Sequence, residues 1–416
     1  MKIKSKNYAL VLIIFMFLFS AIPTNSNQKH YSGIAINLEG THNGADYIIR
    51  VPENWNDVLI VYAHGYTQPS SAEAAPGGVA MEEFLLSQGY ALAGSRYQTD
   101  GWAVKEGLQD TTSLTTLFNG KVGKPDKVIL WGFSMGSVIA FESAEKHSGI
   151  YDGIIAACAV GAGTVRTWDS AYTLALAYDV TFGWPAAWGS AENVRDDIVF
   201  NTEVAPVLFG QVTDLSNFGF FEFMRLVSGI PFGEFYSGPS NFLFTDMFFL
   251  TEARGELESR AGGPIVENVG HSYTLTDADK GYLAAFGIDP EPLLDTMNAR
   301  TDVVAPKNAR NYVKQYAEYT GNIKVPVLTI HTIGDGLVVV NQENAYRATV
   351  EAAGKESLLV QVYTDAIGHC AFDPFQLLSS IRAMEYWLDT GIAPDSSFFS
   401  ELLGFLNDFE PAEMPF

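Results

Sequence analysis

The chain has 416 residues, of which 47% are hydrophobic and 13% aromatic, so it can bury a large core in one big or two moderate domains. Its 25 basic and 48 acidic residues give a net charge of −23, and a surface of that sign repels nucleic acid and anionic membranes. We therefore expect no nucleic-acid partner. The sequence has no cysteine and histidine spacing typical of a metal site and no phosphate-binding loop, so we expect no metal and no other cofactor.

The first residues have the pattern of a signal peptide. Three lysines, at positions 2, 4 and 6, precede an apolar run over 8–22, which is shorter than the roughly 20 residues that span a bilayer. We predict that residues 1–26 are removed and that the mature chain has no membrane span. The expected location is secreted or periplasmic, and an uncleaved membrane anchor is the alternative.

Apolar runs then alternate with helix-like stretches. The first two runs, 34–38 and 47–51, predict a hairpin. The strands that follow are predicted at 58–63, 90–94, 128–131 and 153–160, and the helices between them at 82–86, 110–118 and 137–146. Strands that alternate with helices predict a parallel sheet with right-handed crossovers.

The alternation stops near residue 163 and resumes with strands predicted at 325–330 and 358–363 and helices at 341–353 and 375–388. We predict a catalytic domain made of 27–163 and 323–416, with a largely helical cap inserted at 164–322. Twelve phenylalanines lie between positions 200 and 249. They predict either an apolar roof over the site or ordinary packing of the cap on the main domain.

Gly132-Phe133-Ser134-Met135-Gly136 is the most informative stretch of the chain. This G-x-S-x-G sequence lies between a predicted strand and a predicted helix, which is the context of a sharp turn that presents a nucleophilic serine hydroxyl. Glycines are expected there because a Cβ at either position would collide with a neighbouring strand or helix. Ser134 is therefore the predicted nucleophile, and the helix that follows directs its N terminus at a developing negative charge.

A serine hydroxyl needs a base, and the base needs an acid that orients it. His369 is the predicted base, because it lies in a polar turn after the last predicted strand and a loop there can fold back over the sheet. Asp335 is the predicted acid, since it lies between two glycines in a turn at the end of another strand. Asp365 and Asp302 are weaker alternatives.

Acyl transfer also requires hydrogen-bond donors for the oxyanion. The backbone N–H of Met135 is one predicted donor. The turn His64-Gly65-Tyr66 follows an early strand, and the amides of Gly65 and Tyr66 are the candidates for the second donor. His64 is expected to pack this loop and not to act in catalysis.

In this arrangement the chain resembles the α/β-hydrolase superfamily. The elbow at Gly132–Gly136, Gly334-Asp335-Gly336 and Gly368-His369 occur in the family's order of serine, acid and histidine. The resemblance covers roughly 45–160 and 323–390. It implies an α/β fold with a mostly parallel sheet flanked by helices, and a cap after the strand that follows the nucleophile. Within the superfamily the chain looks like a secreted esterase.

The chain has two cysteines, Cys158 and Cys370. A histidine followed directly by a cysteine is similar to the tannase and fungal feruloyl-esterase group, in which a cysteine before the nucleophile pairs with the one after the histidine. Phe133 occupies that position here. Export favours a disulfide between Cys158 and Cys370, which would brace the His369 loop; two buried free thiols are the alternative.

The function expected from these features is that of an exported serine hydrolase. It would cleave carboxylic esters with apolar or aromatic acyl groups, in a small-molecule or polymeric substrate, through an acyl-enzyme. A serine peptidase or aminopeptidase on the same fold is the nearest alternative, and a non-catalytic relative that only binds is the other. The sequence does not indicate the oligomeric state.

Overall fold

The computed structural model describes residues 34–66, 71–232 and 239–414, and one sheet of eight strands lies at its centre. The strands are β1 (Ile34–His42), β2 (Ala45–Pro52), β3 (Val58–Ala63), β4 (Ala91–Ser95), β5 (Lys127–Phe133), β6 (Gly153–Ala157), β7 (Val327–Gly334) and β8 (Leu359–Ile367). Their order in the sheet is β1-β2-β4-β3-β5-β6-β7-β8. Only the β1–β2 and β2–β4 pairs are antiparallel, so six strands form a parallel sheet as the sequence predicts.

Helices lie on both faces of this sheet and in the long segment between β6 and β7. They are α1 (Val79–Ser87), α2 (Val104–Lys121), α3 (Met135–Lys146), α4 (Gly163–Phe182), α5 (Ala205–Val212), α6 (Phe218–Val227), α7 (Pro239–Phe248), α8 (Arg254–Ala261), α9 (Asp277–Ala284), α10 (Glu291–Asn298), α11 (Lys307–Gln315), α12 (Asn341–Ala352) and α13 (Pro374–Thr390). Leu59 and Val61 of β3 pack on the side of α2 and α3, whereas Ile60 and Tyr62 pack on the side of α1 and α13. Burial on both faces explains why β3 is a continuous apolar run.

The segment predicted as a cap contains α4 to α11. Apart from an isolated bridge between Gly189 and Val194, its described residues are helical or irregular. The guanidinium of Arg310 in α11 donates to both carboxylate oxygens of Asp169 in α4, each at 2.8 Å, which ties the end of this segment to its beginning. The chain from Gly33 to Phe416 forms one compact unit, and the boundaries at 164 and 322 stay a prediction.

Most strands begin or end a few residues from their predicted bounds, and the ends of β6 and β7 matter for the site. β6 stops at Ala157, three residues early, because Cys158 has a φ of 45° and leaves the extended conformation. β7 continues to Gly334, so His331 is a fully buried residue inside the strand. The predicted signal peptide, 1–26, lies outside the described residues. Among the helices that the structure describes, none is both long enough and apolar enough to cross a bilayer.

The turn between β5 and α3 leaves no room for a side chain at either glycine. A Cβ on Gly132 would lie 2.2 Å from the carbonyl oxygen of Gly136, and a Cβ on Gly136 would lie 2.0 Å from that of Ala63 at the end of β3. Both contacts are with backbone, which cannot rotate away. The collisions expected from the sequence are therefore present in the structure.

Gly136→Ala is expected to lower the free energy of unfolding by about 3 kcal/mol or more, because the added methyl group forces α3 away from β3. Gly120→Ala is the matched control: Gly120 is also helical, nothing lies within 4 Å of its Cβ, and alanine favours a helix. Urea denaturation of both variants measures the difference. Equal stability of the two proteins would contradict the close packing.

Candidate active site

The candidate site lies where the carboxyl ends of four neighbouring strands meet. The register pairs Ala63 of β3 with Gly132 of β5, Phe133 of β5 with Ala157 of β6, and Ala157 with Ile330 of β7. The loops that leave these strands therefore converge at one edge of the sheet, which is where ligands bind in open α/β folds.

Ser134 is held in a conformation that serine rarely adopts. Its φ of 52° and ψ of −122° lie outside the favoured regions, at a cost of roughly 1–3 kcal/mol. Its amide donates to the carbonyl of Ala157 at 3.1 Å, and its carbonyl accepts from the Ser137 hydroxyl at 2.5 Å. The same hydroxyl accepts from the amide of Val160 at 2.9 Å, so β6 and its loop hold the strained turn in place.

Ser134, His369 and Asp335 form one chain of hydrogen bonds. Nε2 of His369 lies 2.8 Å from the Ser134 hydroxyl oxygen, and Nδ1 lies 2.7 Å from Oδ2 of Asp335. With Nδ1–H donating to the carboxylate, Nε2 is free to accept the serine proton. The structure thus brings together the three residues that the sequence singled out, and Asp335, not Asp365 or Asp302, contacts the histidine.

Asp335 is fully buried, and its position is fixed by its own turn. Oδ1 accepts from the amides of Leu337 at 3.1 Å and Val338 at 2.9 Å, which leaves Oδ2 for His369. Burial by itself raises the pKa of this carboxyl, but His369 and His331 beside it hold the pKa well below its usual value. Asp335 is therefore ionised across the neutral pH range.

The loop that carries His369 is attached to its surroundings on both sides. Before the histidine, the amide of Gly368 donates to the carbonyl oxygen of Gly334. The carbonyl oxygen of Gly368 accepts from the hydroxyl of Thr332. After it, Cys370 forms a disulfide with Cys158, with the two Cα atoms 5.1 Å apart. The partner of Cys370 thus comes from the end of β6, and the prediction of a disulfide is confirmed.

Cys158, His369 and Cys370 form the one cluster of the described chain with a spacing suitable for a metal ion. Ligand atoms of Cys158, His369 and Cys370 lie within 4.8 Å of one another. Each is already engaged, because the two sulfurs are bonded to each other and both nitrogens of His369 have partners. A cysteine binds a metal ion as a thiolate, and neither sulfur of a disulfide is a thiolate.

The turn predicted to supply oxyanion donors lies against Ser134. A Cβ on Gly65 would be 3.1 Å from the Cβ of Ser134, so a side chain at this position would force a small shift of the turn. Met135 is the first residue of α3, where amides have no partner within the helix. His64 is buried and stacks on Tyr97 at 3.8 Å, and burial lowers the pKa of its imidazole, in keeping with a packing role. The amides of Met135, Gly65 and Tyr66 remain the predicted donors.

A cavity of about 850 Å³ opens over Ser134 and His369, and most of its wall is apolar. The wall is lined by Tyr62, Gly65, Tyr66, Pro76, Gly77, Ala80, Met81, Phe84, Phe133, Thr245, Phe249, Leu337, Cys370, Phe372, Pro374, Phe375 and Leu377. None of these described residues carries a charge.

The aromatic wall comes mainly from a part of the chain that the sequence reasoning missed. Phe84 of α1 contacts Phe375 of α13 edge to face, with ring centroids 5.8 Å apart, and Phe372 contacts Phe133 in the same way at 6.3 Å. Phe375 is 57% exposed although it is large and apolar. Phe372 and Phe375, two and five residues after Cys370, were the available sequence signal.

The phenylalanines of the predicted cap contribute less to this cavity than a roof would. Among the described ones, only Phe249 lines it. Others pack against each other: Phe200 contacts Phe244 and Phe248, and Phe218 contacts Phe286. These contacts lie within the predicted cap, and Phe248 and Phe249 also contact Tyr66 of the main domain.

Comparison with known proteins gives a distant but long match. No protein-family model matches the chain. An o-phthalyl amidase from Xanthobacter agilis is 24% identical over 411 residues, covering 85% of this chain and 87% of that protein.

The solved structures that the chain matches include an esterase from Pyrococcus furiosus, at 14% identity and a TM-score of 0.40, covering 89% of this chain and 91% of that one. Feruloyl esterase B from Aspergillus oryzae matches at 13% identity and a TM-score of 0.40, covering 86% and 81%.

The architecture of the chain agrees with the one that the resemblance implies. The sheet has eight strands, six of them parallel, with helices on both faces. Its fifth strand ends in a G-x-S-x-G turn, and the serine, acid and histidine that meet there follow one another in that order along the chain. The chain therefore has the α/β-hydrolase fold.

Proposed function

We propose that this chain is an exported serine hydrolase that cleaves carboxylic esters with an apolar or aromatic acyl group. The observation that carries the proposal is the hydrogen-bonded chain Ser134–His369–Asp335 at the floor of an uncharged, aromatic-lined cavity. A protein that only binds would not need a serine held at a strained φ beside an oriented base.

The geometry supports a mechanism of two acyl transfers. His369 Nε2 takes the proton of Ser134 as the hydroxyl oxygen attacks the ester carbonyl, and the buried carboxylate of Asp335 stabilises the imidazolium. The oxyanion would accept from the amide of Met135 and from that of Gly65 or Tyr66. Collapse breaks the C–O bond, and His369 gives its proton to the departing alkoxide. Water then attacks the acyl-enzyme with His369 as base, which releases the acid and restores Ser134.

The cavity wall supports the proposed acyl preference. Phenyl rings from Phe84, Phe133, Phe249 and Phe375 offer edges and faces to an aromatic or aliphatic group. A carboxylate on the acyl group would lose its hydration there without gaining a lysine or arginine as partner, since the described lining has neither. We therefore propose a neutral acyl group.

Amide hydrolysis is the second candidate, and the distant likeness to an amidase supports it. A Ser-His-Asp triad can cleave both esters and amides. Amide cleavage depends more strongly on the histidine, which must protonate the leaving amine, and on the oxyanion donors. An aminopeptidase fits less well, because no described residue of the cavity wall is a carboxylate that could pair with a substrate's ammonium group. Esters and anilides of one acyl group distinguish ester from amide cleavage.

Ser134→Ala is expected to reduce ester hydrolysis by at least about 10⁴-fold, since no other group can form the acyl-enzyme. Covalent labelling by a fluorophosphonate should disappear with it. Ser148→Ala, at an exposed position beyond the end of α3, is the matched control and should keep both properties. A wild-type protein that folds but neither labels nor hydrolyses any ester would end the proposal.

The charge preference is tested with phenyl esters of benzoate and of 4-carboxybenzoate. We expect kcat/KM to favour benzoate by at least about tenfold, because the second substrate buries an unpaired carboxylate. Ala80→Lys places a cation on the cavity wall and should narrow that ratio. Val79→Lys adds the same charge one residue earlier, outside the lining, and should not. Equal rates for both esters in the wild-type protein would contradict the proposed preference.

Export is supported by the disulfide, because such bonds persist in oxidising compartments. The intact mass of protein recovered from outside the producing cell is expected to lack a leader of about 20–26 residues, as signal peptides are of this length. Alkylation of the unfolded protein should add nothing without reductant and two groups with it. Recovery of the full-length chain with two free thiols would contradict export.

A further inference from the structure

Behind Asp335 lies another histidine, His331, which contacts two carboxylates. His331 on β7 is fully buried, with Nδ1 3.1 Å from Oε1 of Glu343 and Nε2 3.4 Å from Oδ2 of Asp335. Nε2 also lies 2.8 Å from the carbonyl oxygen of Val338. Oδ2 of Asp335 is therefore shared between His331 and His369, and Glu343, His331, Asp335, His369 and Ser134 form one continuous series of contacts.

Glu343 has the hydrogen bonds of an ionised carboxylate. Its Oε2 accepts from the hydroxyl of Thr329 at 2.6 Å and from Nε2 of Gln361 at 2.5 Å, while Oε1 faces His331. A carboxylate surrounded by donors keeps its charge, and a buried charge needs a partner of opposite sign. His331 is that partner.

The surroundings of His331 favour its protonated form. Burial by itself lowers the pKa of the imidazole, but hydrogen bonds to Asp335 and Glu343 raise the pKa to about 10. Tyr346 and Tyr363 also face Glu343, and burial raises the pKa of each phenol, so both remain neutral. The amide nitrogen of Ala159 lies 3.2 Å from Nδ1, and a neutral His331 that accepts from this amide is the competing arrangement.

We propose that His331 is a positioning residue of the candidate site: a buried imidazolium that balances Glu343 and Asp335, and so keeps Asp335 ionised and directed at His369. The inference rests on the proposed function, because it assigns His331 a part in the same reaction. Without this cation, two buried carboxylates would lie close together and one would take up a proton. A protonated Asp335 could not stabilise the imidazolium that His369 becomes.

The charge state of His331 is measurable without any substrate. In protein labelled with ¹⁵N-histidine, we expect one imidazole to carry protons on both nitrogens throughout pH 6 to 9, and its signals to be missing from His331→Gln. A His331 that is neutral in this range would overturn the proposal even if the enzyme is active. This outcome is independent of the proposed function, which a wild-type protein without hydrolase activity would end by itself.

Activity tests the positioning role. His331→Gln is expected to lower kcat at pH 7 at least about tenfold with little change in KM, because His331 does not touch the cavity. In this variant, two unbalanced buried carboxylates raise each other's pKa, so that one of Asp335 and Glu343 is protonated at pH 7. The loss of activity should shrink as the pH rises above that pKa and this carboxyl group ionises. His331→Gln/Glu343→Gln removes the second charge as well, and should recover most of the lost activity.

The control for the substitution itself is His147→Gln. His147 follows the last residue of α3, at the opposite end of the helix from Ser134, and the variant should keep the wild-type pH profile. A double variant no more active than His331→Gln would show that the residue only fills space, and would overturn the proposal. A purely structural role also predicts a loss that does not depend on pH.

Discussion

Gly136 packs directly against the carbonyl oxygens of Ala63 and His64, and the position of Ser134 depends on this contact. Because the N terminus of α3 approaches β3 so closely, the turn before it must be tight, and the serine takes a left-handed φ. The Gly65 turn lies close by as well, since a Cβ on Gly65 would be 3.1 Å from the Cβ of Ser134. One backbone contact thus sets the nucleophile, the helix N terminus and the predicted oxyanion turn relative to one another.

The candidate site combines a buried charge with an uncharged cavity. Although the chain has a net charge of −23, the described cavity wall has no charged side chain, and the negative charge nearest to His369 is the fully buried Asp335. In this low-dielectric setting the carboxylate strongly stabilises a positive charge on His369, whose Nδ1 lies 2.7 Å away. A buried carboxylate also needs a nearby positive charge or hydrogen-bond donors, and for this reason the contacts of His331 with Asp335 and Glu343 matter.

Much of this arrangement could be predicted from short patterns in the sequence. The elbow around Ser134 and the glycine-flanked Asp335 are local signals, because each depends on turn geometry that a few residues specify. The pairing of Cys158 with Cys370 followed from there being two cysteines in a chain with a leader pattern. His369 required one further step, the expectation that a loop after the last strand folds back over the sheet.

What the sequence did not reveal depends on contacts between distant segments. The cavity wall joins Phe84 of α1 to Phe375 of α13, and no local pattern marks two phenylalanines so far apart as neighbours. The longer course of β7 was missed because His331 and Thr332 interrupt its apolar run. They are accepted inside the strand because Glu343 and Gly368 supply their hydrogen-bond partners. The sequence left the role of the phenylalanines at 200–249 open, because composition alone cannot separate a cavity wall from a core.

The most direct test of the account is a crystal structure of the protein after reaction with an aryl phosphonate ester. We expect the phosphorus to be bonded to the hydroxyl oxygen of Ser134, with the aryl group against Phe84 and Phe375. One phosphonyl oxygen should lie within hydrogen-bond distance of the amide of Met135 and of the amide of Gly65 or Tyr66. Phosphonylation of another residue, or an oxygen on Ser134 directed away from these amides, would contradict the proposed acyl-transfer site.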